Sequence, residues 1–276
     1  MNSFWRKYNG AIIPAFPPTA SIKQRRYEIK KILKESNVYF ARWVSDFDSD
    51  KQLDFWYVIK DKKFDLGDFS SKTRNQIKKG LKLCLVREIS LDEYINEGYI
   101  IYLKAFKTYK TFEKPMTKDG FEKKIINLDD SCQFWGVFNL ENKLIGFSQN
   151  NVQNNICEFS ITKFHPGYLK LRPSEALFYT MVDYYLNKLD VQYIHNGTRS
   201  IAHHTNIQEF LIKKFKFRKA YCKLHILYRP VFGFLVRLTF PLRSIIKYFP
   251  LTIFRKLQII LKQEEISRNC EKQLKC

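Results

Sequence analysis

Short runs dense in β-branched and aromatic residues alternate along the chain with segments whose apolar positions recur at helical spacing. Val38-Tyr-Phe-Ala-Arg-Trp-Val44 and Phe55-Trp-Tyr-Val-Ile59 read as strands on either side of the polar stretch Asp46–Asp54. Ser70 to Gly80 predicts a short basic helix with a serine cap, followed by strand Leu83–Ile89. Leu91, Tyr94, Ile95, Tyr99, Tyr102, Leu103 and Phe106 form one helical stripe, and Ser90-Leu-Asp-Glu93 is a capping box at its start. A further helix is predicted from Thr117 to about Asn127. Strands Gln133–Asn139, Lys143–Val152 and Asn155–Phe164 come next, the first two as a hairpin turning at Leu140-Glu-Asn142. Helix Ser174–Lys188, strand Val191–His195, helix Asn206–Phe215 and strand Phe217–Tyr228 complete the order. Upstream, Pro14, Pro17 and Pro18 mark an irregular approach to a helix over Ser21–Glu35. No internal repeat is visible. The order predicts a mixed α/β fold, a central sheet flanked by helices, with a right-handed crossover after the third strand of the meander.

Composition narrows the function classes. In 276 residues, Lys+Arg 48 against Asp+Glu 27 gives +21, and hydrophobic types make up 45%. That apolar share suffices for a core and excludes a disordered chain. No uncharged apolar stretch reaches the roughly 18 residues of a spanning helix, and Met1-Asn-Ser-Phe-Trp-Arg-Lys7 lacks the apolar region of a signal peptide. A cytoplasmic protein is therefore expected. Cys84, Cys132, Cys157, Cys222, Cys270 and Cys276 are scattered without a C-x-x-C pair and read as free thiols. No cysteine or histidine spacing suits a metal, and neither a helix-turn-helix nor a zinc pattern points to DNA. The basic balance calls instead for an anionic partner: RNA, anionic lipid or a phosphate-bearing substrate.

The end of the chain has its own character. From Arg229 to Lys262 the charged residues are Arg229, Arg237, Arg243, Lys247, Arg255, Lys256 and Lys262, with no acid among them. Phe232, Leu235, Leu238, Leu242, Ile245, Phe249, Ile253 and Leu257 are interleaved with them, and Pro241 and Pro250 divide the stretch into short helical pieces. Such basic amphipathic helices lie in an anionic membrane interface or pack on protein as a helical arm. Both readings are open.

The run ending in Asn206-Ile-Gln-Glu-Phe-Leu-Ile-Lys-Lys-Phe-Lys-Phe217 resembles the closing helix and strand of the GNAT (Gcn5-related N-acetyltransferase) fold. Ser71-Lys-Thr-Arg-Asn-Gln-Ile-Lys-Lys-Gly-Leu-Lys-Leu-Cys-Leu-Val86 is similar to the approach segment of its FemAB-like branch. The resemblance implies an acyl or aminoacyl transferase of envelope and surface-polysaccharide synthesis, with acyl-CoA (acetyl-CoA) or aminoacyl-tRNA as donor. It covers residues 70–228. The glycines of the GNAT pyrophosphate loop are absent: Lys170, Arg172 and Ser174 stand at their places in His165-Pro-Gly-Tyr-Leu-Lys-Leu-Arg-Pro-Ser174. Donor binding is therefore assigned to the side chains of Lys170, Arg172 and Ser174, with Asn206 at the start of the last helix. The tyrosine acid of the family aligns near Ile212, which leaves Tyr221 or Tyr168 to replace it.

Direct attack of an acceptor on an acyl carbonyl needs a base and a dipole for the oxyanion. Glu158, mid-strand between Ile156, Cys157 and Phe159, is a candidate base; the alternative is an outward carboxylate in a salt bridge. His195-Asn-Gly-Thr-Arg-Ser-Ile-Ala-His-His-Thr-Asn206 is the densest polar cluster and follows a strand, where sheets with parallel pairs place their sites. His203 and His204 are its proton-transfer candidates, and Asn196 and Arg199, with Tyr168, its acceptor-binding ones; the alternative is a capping loop. The expected division is an N-terminal extension at 1–69, a reduced first half of a FemAB-like unit, then a transferase domain at 70–228 and a basic helical tail at 229–276. The expected acceptor is an amine or hydroxyl of a lipid- or nucleotide-linked sugar at the inner membrane face. The competing reading is a non-catalytic GNAT-like protein that holds RNA or anionic lipid.

Overall fold

The computed structural model describes residues 4–20, 22, 24–109, 114–201, 206–246 and 252–275. The chain is a mixed α/β fold of two compact units, one made of Met1–Val58, Thr198–Asn206 and Lys219–Cys276, the other of Ile59–Gly197 and Ile207–Arg218.

The first unit holds β1 (Trp5–Tyr8), β2 (Ala11–Pro14), α1 (Arg26–Glu35), β3 (Phe40–Ser49) and nearly all of β10 (Arg218–Tyr228). β1 and β2 are an antiparallel hairpin closed by Asn9-Gly10, where the sequence reading expected only a Pro-rich approach. Both turn residues have positive φ, 46° and 78°, the combination that a two-residue turn matched to strand twist requires. α1 begins at Arg26, five residues after the predicted start, because Arg25 is extended and Glu28 closes the cap. β2 runs parallel to β3, and β3 antiparallel to β10. The tail does not stay in short pieces: α7 (Pro230–Thr239) and α8 (Arg243–Ile246) are short, but α9 (Thr252–Lys275) is a long helix. Ile266 and Cys270 of α9 are buried with Leu53, Phe55, Cys222 and Leu224. α9 is thus core. α7 buries Val236 and rests Phe232 on Tyr39, but leaves Val231, Phe234, Leu235 and Leu238 exposed.

The second unit holds α2 (Ser71–Leu83), β5 (Cys84–Glu88), α3 (Leu91–Phe106), α4 (Lys118–Ile126), β6 (Cys132–Asn139), β7 (Leu144–Gln153), β8 (Ile156–Phe164), α5 (Pro173–Val182), β9 (Tyr193–Thr198) and α6 (Asn206–Phe215). These elements follow the predicted order. The capping box at Ser90 forms as the sequence implies, Ser90 Oγ accepting from Glu93 N and Glu93 accepting from Ser90 N. β5 to β8 form an antiparallel meander, and β9 adds parallel to β8 after the α5 crossover. Under α3 and α4, Tyr94, Phe121, Phe138 and Phe147 fill one face. On the other, Phe159 meets Phe178 of α5 and Phe217. The predicted helix 174–188 ends as α helix at Val182 and continues as a π-helical turn over Asp183–Lys188. That turn seats the Tyr185 hydroxyl in a buried network: Trp135 Nε1 donates to it at 2.8 Å, Asn150 Nδ2 at 3.2 Å, and it donates to Gln133 at 2.7 Å. Such turns recur beside functional sites. The five described cysteines are free thiols.

Candidate active site

β8 and β9 part company within their length. Their pairing runs through Ile156↔Tyr193, Cys157↔Ile194 and Glu158↔His195, and stops there, although β8 continues to Phe164 and β9 to Thr198. Two features enforce the split. A bulge between Gln149 and Asn150 of β7 leaves Ser160 without a partner, which bends β8. Beyond it, the Asn196 side chain, not a strand partner, donates to the Phe159 carbonyl at 3.2 Å, while Gln208 of α6 donates to the Asn196 carbonyl. The backbone groups past the last pair therefore face a wedge, the setting in which main-chain dipoles can meet a developing oxyanion.

Glu158 and His195 stand at the mouth of this wedge. Partners in register share a face of the sheet, so Cys132↔Asn151, Asn151↔Glu158 and Glu158↔His195 make one transverse polar row. Phe159 points to α5, which puts Glu158 on the opposite face. The carboxylate is half-buried and, among the described residues, makes no ion pair. His195 is buried; burial holds its imidazole below the ordinary value, against the upward pull of Glu158. Its Nδ1 accepts from Gly197 N at 3.2 Å, which leaves the proton of the neutral ring on Nε2. One side chain can thus take a proton from an acceptor, and the other can give a hydrogen bond.

The N-terminus of α5 carries a different arrangement from a glycine loop. Arg172, at one of the glycine places, adopts the left-handed conformation (φ 65°, ψ 42°) that glycine favours. Gly80 of α2 permits the close packing here: a Cβ on it would lie 2.7 Å from the Arg172 carbonyl. The Glu175 carboxylate, 2% exposed, sits in the first turn of α5. Lys214 of α6 holds it at 2.6 Å and also donates to Gln76 at 2.7 Å, and Ser174 donates to it at 2.7 Å. Burial alone raises the Glu175 pKa, but these contacts more than offset it and leave the carboxyl below its ordinary value. The positive end of this helix is filled by the chain's own carboxylate.

No family model matches the sequence, and no curated protein matches it. Solved structures do. FemX aligns over 75% of this chain and 77% of its own, at 10% identity and a TM-score of 0.55. The C-terminal domain of a putative lysylphosphatidylglycerol synthetase from Agrobacterium fabrum aligns over 83% and 82%, at 12% identity and 0.55. The L-PGS structure from Bacillus licheniformis aligns over 94% and 85%, at 11% identity and 0.53. The chain shares the GNAT-like, FemAB-type fold of FemX.

On this FemX-like fold the remaining sequence candidates separate. Ser174 is engaged with Glu175. Lys170 is exposed and Arg172 lies 3.7 Å from Glu175. Tyr168, in the turn after β8, packs against His165 and under the Lys143 ammonium. Asn196 is at the wedge. Arg199 binds the Asp54 carboxylate at 2.5 Å and its backbone N–H binds the Trp56 carbonyl, so it serves as a structural clasp of the first unit. Tyr221 packs against the Leu53 and Phe55 cluster of that unit, and Asn206 opens α6, exposed. His203 and His204 lie outside the described residues. His195 was read as a strand end and the first residue of the polar cluster, with no role of its own; its signal was its register opposite Glu158, which needs strand pairing to be seen.

Proposed function

We propose that this chain is an aminoacyl transferase that moves an amino acid from aminoacyl-tRNA onto an amine or hydroxyl of a membrane-borne envelope precursor. The observation that carries the reading is the wedge between β8 and β9 with Glu158 and His195 paired at its mouth. The acceptor attacks the acyl carbonyl directly. Glu158 takes its proton, main-chain groups of the wedge and the His195 Nε2–H meet the oxyanion, and as the ester bond to the ribose breaks Glu158 returns the proton, so that the tRNA leaves as a free hydroxyl. The fold it shares with FemX and with lysylphosphatidylglycerol synthetase domains, the latter named for an aminoacylated lipid, supports this class.

The donor is argued from α5. An acyl-CoA pyrophosphate gripped as in a glycine-loop enzyme would meet the Glu175 carboxylate at the helix end, with Lys214 already committed to it. Those residues do not fit that grip. The +21 charge suits a polyanionic RNA donor instead. In the same reading the exposed apolar side of α7 and the basic residues around it rest on the anionic inner face of the membrane, where such acceptors are carried. None of the helices among the described residues is long and apolar enough to cross a membrane.

The test is transfer of label from a mixed pool of labelled aminoacyl-tRNA to an envelope lipid extract. Wild-type protein should transfer, and Glu158→Gln should lose roughly 100-fold or more of the rate, the scale of a general base. Equal transfer by Glu158→Gln overturns the catalytic role. Transfer from acyl-CoA but not from tRNA overturns the donor. Salt-sensitive RNA or lipid binding with no transfer from either is the outcome of a non-catalytic protein.

A further inference from the structure

The second unit carries a basic pocket that the wedge chemistry does not use. A cavity of about 300 Å³ is lined by Lys60, Asp61, Lys62, Lys63, Phe64, Asp68, Lys216 and Arg218. Two of the five cations are answered within the chain: Arg218 holds Asp61, with Nε to Oδ2 at 3.1 Å, and Lys63 reaches Asp190 at 2.8 Å. The Asp68 carboxylate accepts from Asp65 N at 2.9 Å. Lys60, Lys62 and Lys216 have no ion pair among the described residues.

Lys60 is the unusual member. It is only 4% exposed, on the last residue of β4 (Trp56–Lys60), and its ammonium has the Phe64 ring at 5.0 Å as its contact. Its stem is buried while the ammonium borders the cavity, where a ring face gives a cation only part of what an anion would. Burial, with the Lys216 charge nearby, holds its pKa below the ordinary value. Lys216 joins α6 to β10 in the left-handed conformation, φ 55°, which glycine favours. Both amines line the pocket, and an anion held there would answer charges that have no ion pair among the described residues.

The geometry points to a binding site for a phosphate group, held by Lys60 and Lys216 with Lys62 at the rim. Unpaired lysines act as point charges and suit a tetrahedral phosphate; the one arginine fork, which would suit a planar carboxylate, is already taken by Asp61. The volume admits a phosphate bearing a small organic group. The Lys63–Asp190 bridge joins the pocket to the turn that precedes β9. Binding of a phosphate there is read without any transfer assay.

The experiment is calorimetric and thermal-shift titration of the full chain with inorganic pyrophosphate at fixed ionic strength, sodium chloride being the control. Saturable binding is expected, weakened tenfold or more by Lys60→Met and by Lys216→Gly. Lys216→Gly also removes the left-handed lysine, so the unliganded variant should melt no lower than wild type, which separates lost binding from lost folding. Competition by phosphatidylglycerol vesicles identifies a lipid headgroup as the source, and lack of competition a soluble phosphate; either upholds the site. Absence of saturable binding, or equal affinity in both variants, overturns it.

Discussion

The apolar side of α7 gives the sharpest test of how the protein meets a surface. Val231, Phe234 and Leu238 are 76%, 65% and 62% exposed, and Leu242 and Ile245 extend the stripe through α8. Val236 and Phe232 take the opposite side into the first unit. The helix is therefore apolar all round but has protein on only one side, which is an arrangement water does not favour. Full burial of a Phe or Leu side chain is worth about 1.5–3 kcal/mol, so the two-thirds exposed at Phe234 and Leu238 correspond to about 1–2 kcal/mol each on insertion. Phe234→Ser with Leu238→Ser should weaken partition into anionic vesicles by about 2–4 kcal/mol, roughly 30- to 900-fold. Arg237→Ser should cost about 1 kcal/mol, and that loss alone should vanish in high salt. Co-sedimentation with phosphatidylglycerol-doped vesicles measures both. The melting temperature should hold, because neither side chain is packed. Unchanged partition of the double variant would refute the membrane reading and return α7 to the role of an arm that covers protein.

Three further outcomes follow from packing and charge. Gly80→Ala gains up to about 1 kcal/mol of helix propensity. Its Cβ would, however, meet the Arg172 carbonyl at 2.7 Å and Ala176 N at 3.1 Å, both backbone atoms that cannot swing aside. Denaturant titration should find the variant destabilised by about 1–2 kcal/mol net of that gain. Glu175→Gln removes the charge that Lys214 meets and should cost about 1–3 kcal/mol, much of it recovered in Glu175→Gln with Lys214→Met. Because the folded Glu175 pKa lies below its unfolded value, the native contribution is present above pH 4.5 and lost as pH falls through the folded pKa, and Glu175→Gln should flatten that acid limb. Glu93 is held at about 2 by Arg87 and by the Ser90 N–H, so its contribution fades only between about pH 4.5 and 2. NMR titration should find its pKa moved up toward 4.5 in Arg87→Gln, and an unmoved value would discount the pair.

The meander, the crossover and the capping box were legible because each is a local pattern: alternation, helical spacing, Ser followed by Glu. The β1–β2 hairpin carried an equally local mark in Asn9-Gly10, but the prolines that follow drew the reading toward a loop. Glu158 could be named from its apolar neighbours. His195 could not be joined to it, since nothing within either strand states that the two stand side by side; parallel register is a property of the crossover. The same holds for α7 and α9. α7 has Arg237 as its one charged residue and α9 carries both acids and bases, yet it is α9 that enters the core, through Ile266 and Cys270.

Two cations of the second unit, Arg172 and Lys216, stand in a backbone conformation that glycine favours. Each turn thus has the positive φ that glycine would supply, with a cation in addition. A left-handed non-glycine residue costs roughly 1–2 kcal/mol, and natural chains tolerate such violations mainly where function offsets them. At Arg172 the addition comes with Glu175, which closes the helix end to a pyrophosphate. At Lys216 it comes with Lys60, in the pocket proposed to take a phosphate. In the proposed reading, anion recognition lies on side chains of the unit and not at the helix N-terminus, which fits a donor other than acyl-CoA.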